Sequence, residues 1–129
     1  MVRPDLAGSE RLRALTELSA SALVAQRFEA AWQSLLPIGR DAGTGGYRRY
    51  AWTAADTACR AWFLEQADER NLRVEPDGWG NLLAWWDVVD AGGDGAVLTG
   101  SHLDSVPDGG AFDGPLGVVR SLCAVDLLR

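Results

Sequence analysis

Thr99-Gly100-Ser101-His102-Leu103-Asp104-Ser105-Val106-Pro107 runs directly into Asp108-Gly109-Gly110-Ala111-Phe112-Asp113-Gly114-Pro115. The stretch holds the chain's only histidine, three aspartates and four glycines. Before it, Ala96-Val97-Leu98-Thr99-Gly100 is a short apolar run without alternation, the pattern of a strand buried on both faces. After it, Gly114-Pro115 suits a helix start, because proline is well placed at the first helical position. In open α/β sheets ligands bind beyond the carboxyl ends of parallel strands, which is where His102, Asp104 and Asp113 fall. His102 and Asp104 are two residues apart and share one face if the chain stays extended. An imidazole nitrogen and carboxylate oxygens are donors for a divalent metal, and Asp104 is near enough to hold the His102 ring in place. Asp113 can fold back across the glycines, and one carboxylate can serve two ions in a dinuclear hydrolase. For His-x-Asp alone, a lone histidine with aspartates filling turns is the better reading. Gly-Gly-x-Phe-Asp-Gly shifts the balance toward metal.

Outward from this loop, the chain alternates helical and extended patterns. Residues 1–8 read as a loose lead-in, and Ser9 can cap a short helix carrying Leu12, Leu15 and Leu18. Ser21 then opens a second helix with Val24, Phe28, Ala31 and Leu35 on one face, widened by Trp32 and Leu36 and stopped by Pro37. Ile38 to Ala51 is a glycine-rich loop without the P-loop spacing or its lysine. It ends in Tyr47-Arg48-Arg49-Tyr50, whose arginines we read as a solvated surface rather than an anion clamp. Thr53-Ala54-Ala55-Asp56 has the form of a capping box for a helix to Arg70 that buries Cys59, Trp62, Phe63 and Gln66 or Ala67, with Asn71 as its stop. Leu72–Glu75 and Asn81–Val88, joined by Pro76-Asp77-Gly78, predict a hairpin with Trp85 and Trp86 on opposite faces. Asp90–Gly95 reads as a surface turn. The last helix carries Leu116, Val119, Leu122, Val125 and Leu127 nearly all round. The order implies an α/β class with helices packed on a mixed sheet.

Composition narrows the partners. The chain of 129 residues has the length of one domain, and its 47% hydrophobic content is that of a globular protein. A net charge of −6, with no lysine and scattered arginines, argues against nucleic-acid and anionic-membrane surfaces. Cys59 and Cys123 lie in apolar helical patterns and read as reduced, buried thiols rather than a disulfide. Neither a signal-peptide core nor a membrane-length apolar run is present, so the expected location is cytoplasmic.

Gly100-Ser101-His102-Leu103-Asp104-Ser105-Val106-Pro107 with Gly109-Gly110-x-Phe112-Asp113-Gly114-Pro115-Leu116-Gly117 resembles the signature of the allantoate amidohydrolase and N-carbamoyl-L-amino-acid hydrolase group. That group includes bacterial-type β-ureidopropionase and belongs to the zinc aminoacylase and carboxypeptidase superfamily. Gly78-x-Gly80-Asn81-Leu82 and Gly45-Gly46-Tyr47 to Trp52-Thr53 fit it too, and the short gap from His102 to Asp113 separates it from the dipeptidase branch. The resemblance implies a zinc-peptidase-like catalytic domain and two divalent ions, Zn²⁺ or Mn²⁺. His102 would ligate one ion, Asp113 would bridge both, and Asp104 is the catalytic candidate that steadies His102. The implied reaction is hydrolysis of a C–N bond in a small ureido or carbamoyl substrate.

In that group a glutamate general base and further histidine and acidic ligands follow the bridging aspartate. Here the last glutamate is Glu75 and no second histidine exists. Residues 1–129 are therefore expected to be the N-terminal part of a catalytic domain with an incomplete sheet, lacking the group's dimerisation domain. Alone it is expected to be inactive and to expose apolar surface. An aminoacylase or peptidase of the same superfamily, and a non-catalytic remnant acting as an interaction module, remain open alternatives.

Overall fold

The computed structural model describes residues 6–88 and 95–129, with side chains described at Glu10 and from Ser21 onward. Three helices and one hairpin follow in the order α1 (Leu6–Leu35), α2 (Ala54–Glu69), β1 (Arg73–Pro76), β2 (Leu82–Trp85) and α3 (Gly114–Leu128). This is the α/β class the sequence implies, a fragment with helices against a small sheet. Among the described residues no helix is long and apolar enough to cross a membrane.

Where two helices are expected before Pro37, the structure has one of 30 residues. The expected lead-in is also shorter, since helix begins at Leu6. Neither glycine nor proline lies between Leu18 and Ala22, and a serine without a breaker beside it is tolerated within a helix. The face it buries is the expected one. Ala31, Trp32 and Leu35 are in the core, with Val24, Phe28 and Leu36 packed at its margin.

Thr53 caps α2, its side chain accepting from the Asp56 N–H. The Asp56 carboxylate reaches back to the N–H of Trp52 at 2.9 Å, one residue before the cap. Cys59, Trp62, Gln66 and Ala67 are buried, Phe63 packs at the core margin, and both cysteines are free. Asn71, at φ 48°, ends the helix in the left-handed region that asparagine tolerates.

β1 and β2 pair antiparallel with Val74 opposite Ala84 and Glu75 opposite Leu83. Trp85 donates its Nε1–H to Glu75 at 3.0 Å, while Trp86 lies under the Arg129 guanidinium at 5.2 Å. Each indole is thus partly covered from its own side. Asp77 organises the turn by accepting from the N–H groups of Trp79 and Asn81, both at 2.8 Å, and from the Asn81 side-chain amide at 2.7 Å. These bonds, foremost the Asn81 amide, hold its carboxyl below the ordinary value of 3.8, against an opposing push from desolvation. A depressed folded-state pKa contributes stability above the unfolded value, lost as pH falls through the folded one. Hairpin-turn order is therefore expected to decline below about pH 4. Amide exchange at Trp79 and Asn81 should accelerate there, and Asp77→Ala should abolish that pH dependence.

The buried strand expected at Ala96–Gly100 does not form. Residues 95–105 belong to no strand, and Val97 and Leu98 are 98% and 81% exposed. The two-stranded sheet includes no neighbour for this segment. Among the described residues it meets α3, where Thr99 and Ser121 hydroxyls lie 2.9 Å apart. The apolar run marks a surface that needs covering, which nothing among the described residues supplies. Most of the turn expected at Asp90–Gly95 lies outside the described residues.

α3 starts at Gly114-Pro115 as expected and buries Val118, Val119, Leu122 and Cys123. Leu116 and Val125 pack at the core margin, so of its apolar residues only Leu127 and Leu128, at the far end, are exposed. Asp126, with its side chain 2% exposed, pairs with Arg27 of α1 and with Arg70 at the end of α2, both at 2.8 Å. This carboxylate ties the three helices together, and the sequence reading did not foresee it.

Candidate functional site

The site loop rests on the amino end of α3. A side chain at Gly114 would place its Cβ 2.6 Å from His102 Cδ2, with the His102 carbonyl oxygen and Cε1 closer still. At Gly117 it would lie 2.7 Å from Ser101 Cβ. Two glycines one helical turn apart therefore form the smooth face on which Ser101 and His102 lie.

The His102 Nδ1 meets the Asp104 carboxylate at 2.9 Å and the Asp104 carbonyl oxygen at 3.2 Å. This is the orienting contact expected from the i, i+2 spacing. With Nδ1–H donating, Nε2 keeps the lone pair a metal would use. The His102 and Asp104 side chains are 51% and 59% exposed, so the pair is open to solvent. Asp113 occupies the N-cap of α3 but makes no side-chain capping bond. Its carboxylate is exposed and is not spent on the usual task of an aspartate there. It stands one residue before Gly114, whose open face carries the His102 ring. Among the described residues no three His, Cys, Asp or Glu side chains gather to hold an ion.

The rest of the loop is zipped to residues 46–49. Tyr47 and Gly109 exchange backbone hydrogen bonds at 3.0 and 3.3 Å, and the Ser105 N–H donates to the Arg49 carbonyl at 3.0 Å. A Cβ at Gly46 would sit 2.7 Å from the Asp108 backbone, so the close approach requires glycine. Arg48 bridges Asp41 at 3.0 Å and Asp108 at 3.1 Å. The Asp108 hydrogen bond and charge raise the Arg48 pKa. Backbone N–H donation from Thr44 foremost, with the nearby Arg48, lowers that of Asp41.

Of the two arginines read as a solvated surface, Arg48 is exposed as expected and Arg49 is not. Arg48 is a clamp, and Arg49 is 2% exposed. Burial pushes the Arg49 pKa down. The missed signal is the pairing of Gly46-Tyr47 with Asp108-Gly109, two turn-like segments that sequence periodicity does not connect.

The described site is an imidazole oriented by a carboxylate, on a glycine-bearing loop that runs into α3. Comparison with known proteins shows which family the chain resembles. The N-carbamoyl-L-amino acid amidohydrolase of Geobacillus stearothermophilus is 35% identical over 103 residues, 78% of this chain and 25% of that protein. The ureidoglycolate hydrolase of Oryza sativa subsp. japonica is 33% identical over 81 residues, 63% of this chain and 16% of that protein. In structure, a hydantoinase/carbamoylase family amidase from Burkholderia ambifaria superposes with a TM-score of 0.73 at 38% identity, over 80% of this chain and 25% of that one. No family model matches the chain. The chain is a homologue of the hydantoinase/carbamoylase amidohydrolases over about four-fifths of its length. It spans about a quarter of the length of the N-carbamoyl-L-amino acid amidohydrolase it matches.

Proposed function

We propose that this chain supplies part of the metal centre of an amidohydrolase that cleaves a C–N bond in a ureido or carbamoyl substrate, allantoate or an N-carbamoyl-L-amino acid. His102 and Asp113 hold divalent cations, Zn²⁺ or Mn²⁺, and Asp104 fixes the His102 ring. The observation that carries this reading is the 2.9 Å contact between His102 Nδ1 and Asp104; Asp113, the N-cap of α3, makes no side-chain capping bond. A nitrogen and carboxylate donor set suits either metal. When bound, the cations polarise the scissile carbonyl and make water a better nucleophile at neutral pH.

The chain's own residues contribute orientation. Asp104 selects the tautomer that leaves Nε2 free, while the Gly114 face limits how far the ring can turn. A full dinuclear site needs several ligands for each ion and a base, more than His102, Asp104 and Asp113 supply. The 129-residue chain alone is therefore proposed to bind cation weakly and to turn over no ureido substrate. In calorimetric titration with Zn²⁺, weak binding is expected that His102→Ala removes. Turnover of a carbamoyl amino acid or allantoate that His102→Ala abolishes would refute the inactive state. Zn²⁺ binding unchanged by His102→Ala would refute the ligand assignment.

A further inference from the structure

We infer that the carboxyl end of α1 sets the position of the loop bearing His102, Asp104 and Asp113, with Arg49 and Phe112 as its two positioning residues. The functional meaning rests on the metal reading above, but the mechanical claim does not.

Arg49 holds the first end. Its Nε donates to the Ile38 carbonyl at 2.8 Å and its Nη2 to the Leu35 carbonyl at 3.0 Å, the last turn of α1 and the residues just beyond. A guanidinium is favoured at a helix carboxyl end by the carbonyls it finds there and by the dipole. Tyr47 adds its ring, 4.3 Å from the guanidinium carbon, and its hydroxyl donates to the Leu36 carbonyl at 2.8 Å. The Arg49 backbone then grips the loop, its N–H donating to Ser105 Oγ at 2.9 Å and its carbonyl accepting from the Ser105 N–H. Ser105 is buried and directly follows Asp104.

Phe112 holds the second end. It stacks on Trp32 of α1 at 5.4 Å between centroids and 10° between planes, and Trp32 continues the stack to Phe28 at 6.1 Å. Phe112 is nonetheless 70% exposed, so it contributes little to the core. Its one aromatic partner fixes the residue before Asp113. Between these anchors Val106, Pro107, Asp108 and Gly110 are exposed. Both ends of the loop are thus referenced to one helix.

Phe112→Ala, Phe112→Tyr and Arg49→Lys in the 129-residue chain test this, with melting, amide exchange and Zn²⁺ titration as readouts. Phe112→Ala is expected to melt within a few degrees of the parent. It should speed exchange at Leu116, whose N–H donates to the Asp113 carbonyl, by about tenfold, and weaken Zn²⁺ binding by a similar factor. Phe112→Tyr, which keeps the stack, should restore both. Arg49→Lys loses the two-pronged fork and should speed Ser105 exchange about tenfold while helicity is retained. Parental exchange at Leu116 and Ser105 in these variants would overturn the inference. If the parent binds no Zn²⁺ at all, the metal reading falls, and the exchange rates alone decide the positioning claim.

Discussion

Gly114→Ala is expected to remove Zn²⁺ binding by the chain and to lower its melting temperature by several degrees. The new methyl would sit 2.6 Å from His102 Cδ2, and closer to the His102 carbonyl and Cε1. A flexible side-chain end could yield, but the carbonyl is backbone. Either the His102 peptide moves off α3 or the first turn of the helix opens. Overpacking of this kind costs about 1–3 kcal/mol, and the displaced ring loses the Gly114 face it lies on. Gly110→Ala is the control, because that glycine is in the same loop with open space around it. Calorimetry and thermal melting of the two variants decide the matter. Equal Zn²⁺ affinity for both would show that the ring does not depend on the glycine face.

Asp126→Ala is expected to destabilise the chain strongly, and far more than Arg27→Ala does. Arg70 and Asp126 are both buried, and the carboxylate also receives Arg27. Removing it leaves Arg70 Nε and Nη2 without their carboxylate while Nη1 keeps its bonds to Gln66; deleting one partner of a buried pair costs about 3–5 kcal/mol. Against a domain stability of about 5–15 kcal/mol, that is a large share. Arg27→Ala should cost under about 1 kcal/mol, because the Arg27 side chain is half exposed and solvent screens the pair. Urea denaturation of both variants measures the contrast. Similar midpoints would mean that hydrophobic packing alone holds α1, α2 and α3 together.

Much of this layout was legible from residues close in sequence. The α1 face with Ala31 and Leu35, the Thr53 cap, the Asn71 stop, the turn at Asp77 and the Gly114-Pro115 helix start are all local events. Each depends on side-chain periodicity or on one residue's backbone preference. The His102–Asp104 contact belongs with them, since its two partners are only two residues apart. Ser21 misled because a capping residue marks a helix start only where something has ended the helix before it. Val97 and Leu98 misled differently. Their apolarity reports a surface meant to be covered, and a strand exists only where a neighbour accepts its hydrogen bonds.

The long-range polar links were not legible. Arg48 and Arg49 have the same side chain and adjacent positions, yet one bridges two exposed loops and the other is buried on helix carbonyls. Asp126 looks like an ordinary polar residue on an apolar helix until α1 and α2 bring Arg27 and Arg70 to it.

By itself the sequence determined α2, the hairpin, the start of α3, the Thr53 cap, and the meeting of the lone imidazole with the nearest carboxylate, because those interactions span only a few residues. Only the tertiary structure decided which arginine is buried, which glycines carry the His102 ring, and which helix holds the loop at both ends. Those outcomes depend on groups separated by many residues, whose meeting is settled by packing rather than by any local preference.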